Sequence, residues 1–545
     1  MAYPRVKFNR PFNFQLAASR PELPDIIIEP VKGFNRSQPL NDLEPGETGN
    51  SENYIVEDGF LRPRSGLSQF GDNQLADVGL LAIEHRDVVG QRFPVIASPR
   101  TAAFFSTSWS TLSYVIRGSG QAANDLSGDS SHDFFATSVY EPVVDENILV
   151  FSNFHDVPKI WQPSQTTFSD LSDFISVESF GKIPYTLDNR LCFFNCASSL
   201  TTFGTRVRFS ERGLTSNFST RGAGFEDLMD MAGVGQGVTT RENDAILFSS
   251  EEVWLQRPLR SVFAFQFTPI QRSLGCPYPR TIARTPIGVI FLTREFEPYA
   301  VVGNQVQPIG KKVHQHLRDI MTNPEFAFGL YNSKQQRYEL YFNTASETER
   351  ASHALYLDLD SGAWMPINTF DFEVSAGAEV GSDLGLDIIW DNVTQTWDEI
   401  AQTWDNMVES TSRDKEVMVV SSNGTSFRFR DGQFTDTGSV ITAFWESHTF
   451  NNPTKPGAGL SLYETIIDYD ATNNSALSFA VRGNQVGAFD VQENVTLEAA
   501  SDSSHKDMKI AITGLRPQFR IQTTDTTARA RISRFITRTR SAGRR

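Results

Sequence analysis

The chain is poor in the residues on which most protein chemistry relies. Its 545 residues hold only three cysteines, Cys192, Cys196 and Cys276, and eight histidines. An odd number of cysteines in so long a chain argues against a disulfide framework and fits synthesis in a reducing cytoplasm. No apolar run approaches the ~20 residues of a membrane-spanning helix, so membrane insertion is not expected. The leading residues, Met1 to Phe8, contain no apolar signal region, so Sec export is not expected either. A Walker loop, a Gly-x-Ser-x-Gly elbow and a His-Glu-x-x-His helix are all missing. From these absences no catalytic residue, metal or cofactor is expected, and the chain does not read as an enzyme.

Phenylalanine, by contrast, is abundant: 42 residues against 13 Tyr and 8 Trp. Aromatic rings suit pleated, half-buried surfaces, and Phe leaves no polar atom to satisfy. The clearest unit runs Ala327–Tyr331, a polar turn at 332–336, Arg337–Asn343, then His353–Leu359 and a turn at Asp360-Ser361-Gly362 before Trp364. Period-two alternation bounded by Asn, Ser, Asp and Gly is the signature of strands and hairpins. Looser copies recur at Asn147–Asn153, Arg190–Asn195, Ala245–Phe248, Gly288–Leu292 and Glu416–Val420, the last paired with Ser426–Phe429 across Asn423-Gly424. Short antiparallel sheets repeating at roughly 40–50 residues build a β-propeller. The expected fold is all-β: a propeller-like core of about six sheet units over residues 51–450, preceded by an extended arm (1–50) and followed by a small C-terminal β-domain (451–545). The stretch 105–135, rich in Ser, Gly and Asp, reads as an excursion loop.

Charge is distributed unevenly. Residues 516–545 hold nine arginines (Arg516, Arg520, Arg529, Arg531, Arg534, Arg538, Arg540, Arg544, Arg545) against one acid, Asp525, so with a whole-chain net charge of −16 the remainder carries −24. An acidic body repels nucleic acid, while a basic segment can grip phosphate, pair with an acidic neighbour, or keep a sheet edge solvated. A sharp repeat places Trp390, Trp397 and Trp404, each followed by Asp, seven residues apart in an insert at about 386–410, with Val393, Ile400 and Met407 at the same spacing. That pattern forms one helical face or a ladder of turns, either packed on its own sheet or docked on a neighbouring subunit.

Weaker signals favour structure over chemistry. Ser131-His132-Asp133 are adjacent, whereas a triad converges from distant segments. Cys192 and Cys196 should share a strand face as packing residues, and His314 and His316 should share one as surface or subunit-contact residues. The run Gly233–Gly237 reads as a flexible loop, not a phosphate cradle. Asp360-Ser361-Gly362-Ala363-Trp364 departs from the spacing of the sialidase turn, which weakens a glycosidase reading.

With these segments in hand, the chain resembles the tail nozzle (hub) and packaged-DNA stabilisation proteins of short-tailed bacteriophages. The resemblance lies in Asn53–Gly66 (Asn-Tyr-Ile-Val-Glu-Asp-Gly-Phe-Leu-Arg-Pro-Arg-Ser-Gly), in the run Glu252–Leu317, in the Trp-Asp ladder, and in the terminal Arg520-Ile521, Ile532–Phe535 and Gly543–Arg545. It implies a homo-hexameric ring, each subunit built around a propeller, lying beneath the portal and adaptor of the virion and bearing tail fibres or spikes. Such a ring extends the channel for genomic duplex DNA, retains the packaged genome and conducts it at ejection. Trp390, Trp397, Trp404, Arg516, Arg520, Arg529, Arg531, Arg534, Arg538 and Arg540 are then candidate subunit or DNA contacts. A receptor- or glycan-binding propeller adhesin of the tail is the alternative, and a propeller enzyme a third reading.

Overall fold

Strand after strand in this chain buries both of its faces, and that habit dictates the architecture. In Ala245–Ser249, Ala245 and Leu247 enter one apolar cluster while Ile246 and Phe248 enter the next. Val417 and Val419 are divided in the same way from Met418 and Val420. A strand buried on both sides must be sandwiched between two other sheets. Repeated around a circle, that requirement gives a propeller.

The computed structural model describes residues 23–542, apart from 72–73, 106–111, 118–125, 260–262, 345–349, 382–414, 431, 455–456 and 485–487. The fold is all-β, and its core is a propeller of seven blades. The innermost strands are Leu81–Arg86, Phe135–Glu141, Phe180–Leu187, Gly235–Thr240, Ala283–Thr285, Phe328–Asn332 and the second half of Asn368–Gly381. Each touches the next around the ring, and the last meets the first. Seven separate apolar clusters lie one at each blade interface, the seventh joining Ile96, Ala103 and Phe105 of blade 1 to Ala376, Met418 and Val420 of blade 7. Blade 7 takes its outer strand, Gly66–Gln69, from the N-terminal side of the chain, where it pairs antiparallel with Ser426–Arg430. The first and last strands of the ring therefore lie in one sheet and close it.

An eighth cluster forms a separate two-sheet sandwich. One sheet carries Leu460–Ala471, Ala500–Met508 and the final strand Arg531–Ser541; the other carries Ala443–Glu446, Ser475–Arg482, Val491–Leu497 and Gln518–Thr523. Trp445 stacks on Phe535 between them, with ring centroids 5.3 Å apart.

Several expectations change. The sheet units number seven, not about six. The hairpin Tyr54–Glu57/Phe60–Pro63, expected to open the propeller, joins the sandwich instead: Leu61 pairs with Ile532, and Tyr54 and Leu61 are buried in the sandwich core. From the N-terminal arm, Ile26–Ile28 pairs with the final strand, and Ser51–Glu52, at the start of the stretch expected to be propeller, pairs with Ala443–Glu446 of the sandwich. The stretch 105–135 contains Leu112–Arg117, which pairs with Ala102–Phe105 and, in parallel, with Thr167–Asp170 of blade 2. Cys192 and Cys196 do not share a face. A bulge at Asn195, with φ of 65°, turns Cys196 into the cluster between blades 2 and 3 and leaves Cys192 between blades 3 and 4. Gly233–Gly237 enters an inner strand: a Cβ on Gly237 would overlap Ile282 of blade 5, so glycine there permits close approach of neighbouring blades.

One buried group between blades 1 and 2 should make the ring less stable in acid. His85 is fully buried, its Nε2 donating to the Asn147 carbonyl (3.1 Å) and its Nδ1 therefore accepting from Ser138 Oγ (2.8 Å). Burial pushes its pKa down to about 4, with the Asn147 carbonyl and Asp87 opposing. His85 thus stays neutral when folded and takes up a proton when unfolded below about 6.5. Between pH 6.5 and 4 the unfolded state binds more protons, so stability falls as pH falls. Denaturant unfolding at pH 4.5 should show a loss of about 2–3 kcal/mol from this site relative to pH 7, at ~1.36 kcal/mol per pH unit. His85→Gln should remove that share of the pH dependence; an unchanged slope would contradict the assignment.

Candidate functional site

The innermost strands of a propeller have one edge without a strand partner, and their backbone groups need other partners. Here polar side chains supply them. Glu84 accepts from the amide of Gly381, 2.5 Å away, and Glu379 from that of Ser333, 2.6 Å away. Where the inner strands begin, at the mouth of the ring, Arg280 of the turn before blade 5 donates Nη2 to the Ser375 carbonyl of blade 7. Its Nη1 lies 3.8 Å from Asp133 of blade 2, and its guanidinium stands over Phe328 of blade 6. Lys182 of blade 3 donates to Gln236 of blade 4 (3.1 Å) and faces the Phe135 ring of blade 2. Six of the seven blades thus meet in one polar group at the axis. Burial lowers the pKa of both Arg280 and Lys182, with Asp133 opposing in each case. Among the described residues no second carboxylate joins Asp133 in these contacts.

The serine, histidine and aspartate at 131–133 do not form a relay. Ser131 Oγ (2.5 Å) and His132 Nδ1 (2.8 Å) both bond Asp129, while Asp133 turns to Arg280. His314 and His316 stand on the helix His314–Ile320 instead of a strand, where residues two apart face different ways. His314 bonds the Glu295 carbonyl, and His316 packs on Phe34 beside a cleft of about 430 Å³ lined also by Arg36, Glu52 and His353. No group of three or more His, Cys, Asp or Glu residues able to hold a metal occurs among the described residues. The Trp-Asp ladder, with Trp390, Trp397 and Trp404, lies outside the described residues.

The arginine-rich segment is woven into the sandwich. Register places Glu464 opposite Arg538, Asp468 opposite Arg534 and Asp470 opposite Arg531 on the outer face of one sheet. Arg538 bonds Glu464 at 2.5 Å and has Asp25 at 3.7 Å; Arg534 bonds Asp468; Arg531 covers Phe60 and has Asp58 at 3.9 Å. Arg540 covers the Tyr463 ring, and Arg516 is an exposed loop residue. In the second sheet Arg520 lies 4.0 Å over Phe444, beside the buried Glu446, which is bridged by Arg482 at 3.1 Å. Arg529 is mostly buried and joins the sandwich to the end of the ring, donating Nη2 to the carbonyls of Phe434 and Ile441. Burial holds its pKa down to about 10. The final strand sits in the interior of its sheet, between Leu460–Ala471 on one side and the N-terminal strands on the other, so its arginines do not guard an edge.

Lys182 and Arg280 carry no mark in the sequence, and Gln236 lies in the run Gly233–Gly237 that reads as a flexible loop. No local pattern marks them, since they converge from three blades; only their place at the start of inner strands unites them.

No family model matches the chain, and no curated protein matches it in sequence. Among solved structures it is similar to an exo-β-1,3-galactanase from Phanerochaete chrysosporium, solved with galactose, at 8% identity and a TM-score of 0.25, over 87% of this chain and 100% of that one. It is also similar to the extracellular domain of a hybrid two-component system from B. thetaiotaomicron, at 9% identity and a TM-score of 0.36, over 75% of this chain and 44% of that one.

Proposed function

We propose that the chain is a structural subunit of a phage tail conduit, a homo-hexameric nozzle beneath the portal and adaptor that retains the packaged genome and conducts duplex DNA at ejection. The observation that carries this reading is the internal pairing of the arginines at 531, 534 and 538. Three arginines of the densest cationic run are paired with carboxylates of their own sandwich, and the chain's net charge of −16 dominates the surface offered to DNA. Phosphates gain nothing by binding such a surface, and a duplex can slide past it. Side chains from five blades and a backbone carbonyl of a sixth meet at the mouth of each propeller, so the channel runs between subunits and not through a blade ring. Among the described residues no pair of carboxylates converges at that mouth to favour turnover of a glycan.

The reading predicts that the purified protein does not retain duplex DNA in fluorescence anisotropy at physiological salt. Micromolar or tighter binding that weakens steeply with added salt would mean that the arginines grip phosphate, and would contradict a sliding surface.

A further inference from the structure

We propose that the mouth of the propeller is a binding site for a small monoanionic carboxylate, held between Arg280 and Lys182. The site is separate from the conduit reading and does not depend on ring assembly.

Charge counting leads to it. Arg280 and Lys182 are brought to the axis from blades 5 and 3, and Asp133 is the acid that both of them feel. Among the described residues, two cations beside one carboxylate leave one positive charge uncompensated in a largely buried setting, which is costly unless an anion completes it. The hydrogen-bond count agrees. The Arg280 side chain is only 8% exposed, its Nη2 is engaged by Ser375, and its Nη1 has no hydrogen-bond partner, Asp133 standing off at 3.8 Å. Among the described residues Lys182 has one hydrogen-bond acceptor, the neutral Gln236, for an ammonium with three donors. Spare donors on two cations, one of them a planar guanidinium, match the two oxygens of a carboxylate, and a single negative charge restores neutrality. Asp133 is 25% exposed, so the group opens to solvent on its side. Inside, Phe135 and Phe328 wall it with aromatic faces.

The test is calorimetric titration of the full chain with sodium acetate and with sodium glucuronate, at ionic strength matched with chloride. The expected result is saturable binding, weakened about tenfold in Lys182→Met by loss of one charged hydrogen bond, and tightened several-fold in Asp133→Asn, where the competing carboxylate is gone. Glucuronate binding more tightly than acetate would identify a sugar acid as the ligand; equal affinities would identify the carboxylate alone. The tightening in Asp133→Asn separates a site from a clamp, because a purely structural clamp loses a partner there and gains no affinity. Absence of saturable binding to the unaltered chain, or an Asp133→Asn variant that binds no better, would overturn the proposal even if Lys182→Met fails to fold.

Discussion

Replacing Arg64 by Met should cost about 3–5 kcal/mol of stability, the range for removing one partner of a buried ion pair. The Arg64 and Asp436 side chains are 3% and 2% exposed. Arg64 donates Nη1 to Asp436 (2.9 Å) and Nη2 to the other carboxylate oxygen, Nε to Asn53 (3.0 Å), and Nη2 also to the Thr369 carbonyl (2.6 Å). Asp436 in turn accepts from the amide of Leu67, the second residue of the closing strand. Three segments therefore meet on one guanidinium, at Asn53 before the sandwich hairpin, at Thr369 of the strand shared by blades 6 and 7 and at Asp436 after blade 7, and the closing strand is held through Asp436. Deleting the cation leaves the Asp436 charge buried without it, which costs more than the pair itself contributes. The double variant Arg64→Met/Asp436→Leu should accordingly be less destabilised than Arg64→Met alone. Denaturant titration of the three proteins checks both statements. A single variant within 1 kcal/mol of the parent would show that water reaches the pair.

Gly66→Val should open the ring. A Cβ on Gly66 would overlap the backbone of Thr435, at its carbonyl oxygen, carbonyl carbon and nitrogen alike. No flexible side-chain tip is available to yield, so the closing strand must shift off Ser426–Arg430. Overpacking typically costs 1–3 kcal/mol and more against rigid backbone, so a loss of about 3 kcal/mol or more is expected. Limited proteolysis should then cut between residues 64 and 80 in the variant and not in the parent. An unchanged melting temperature with unchanged proteolysis would mean that the strand is not needed for closure. Because Gly66 and Arg64 share the same neighbours, their effects should not add.

These two residues show how much of the molecule is legible in the sequence. The segment Asn53–Gly66 stands out by its Asp-Gly turn and its Arg-Pro-Arg-Ser-Gly ending, and the turn residues Asp58 and Gly59 do take positive φ. Its role is hidden, because Asp436, Thr369 and Thr435 lie more than 300 residues away. The blades were readable as all-β units from period-two alternation bounded by Asn, Ser, Asp and Gly, and from hairpin marks such as Asn423-Gly424, although strands such as Ala245–Ser249 bury both faces instead of alternating. Their number was not, because the shared strand Asn368–Gly381 serves two blades with no turn signal between them and blade 7 borrows its edge from residues 66–69. The arginine run was conspicuous, yet its partners Glu464, Asp468 and Asp25 are fixed by strand register, which composition does not reveal. The axial group could not be found from spacing at all, since its members belong to different blades.

The assembly state tests the central claim most directly. Electron microscopy of the purified chain, beside native mass spectrometry, should show a sixfold ring with an axial hole at least as wide as a DNA duplex, about 20 Å from groove dimensions. A compact trimer without a hole would contradict the conduit and turn attention to a ligand-binding propeller of the tail surface.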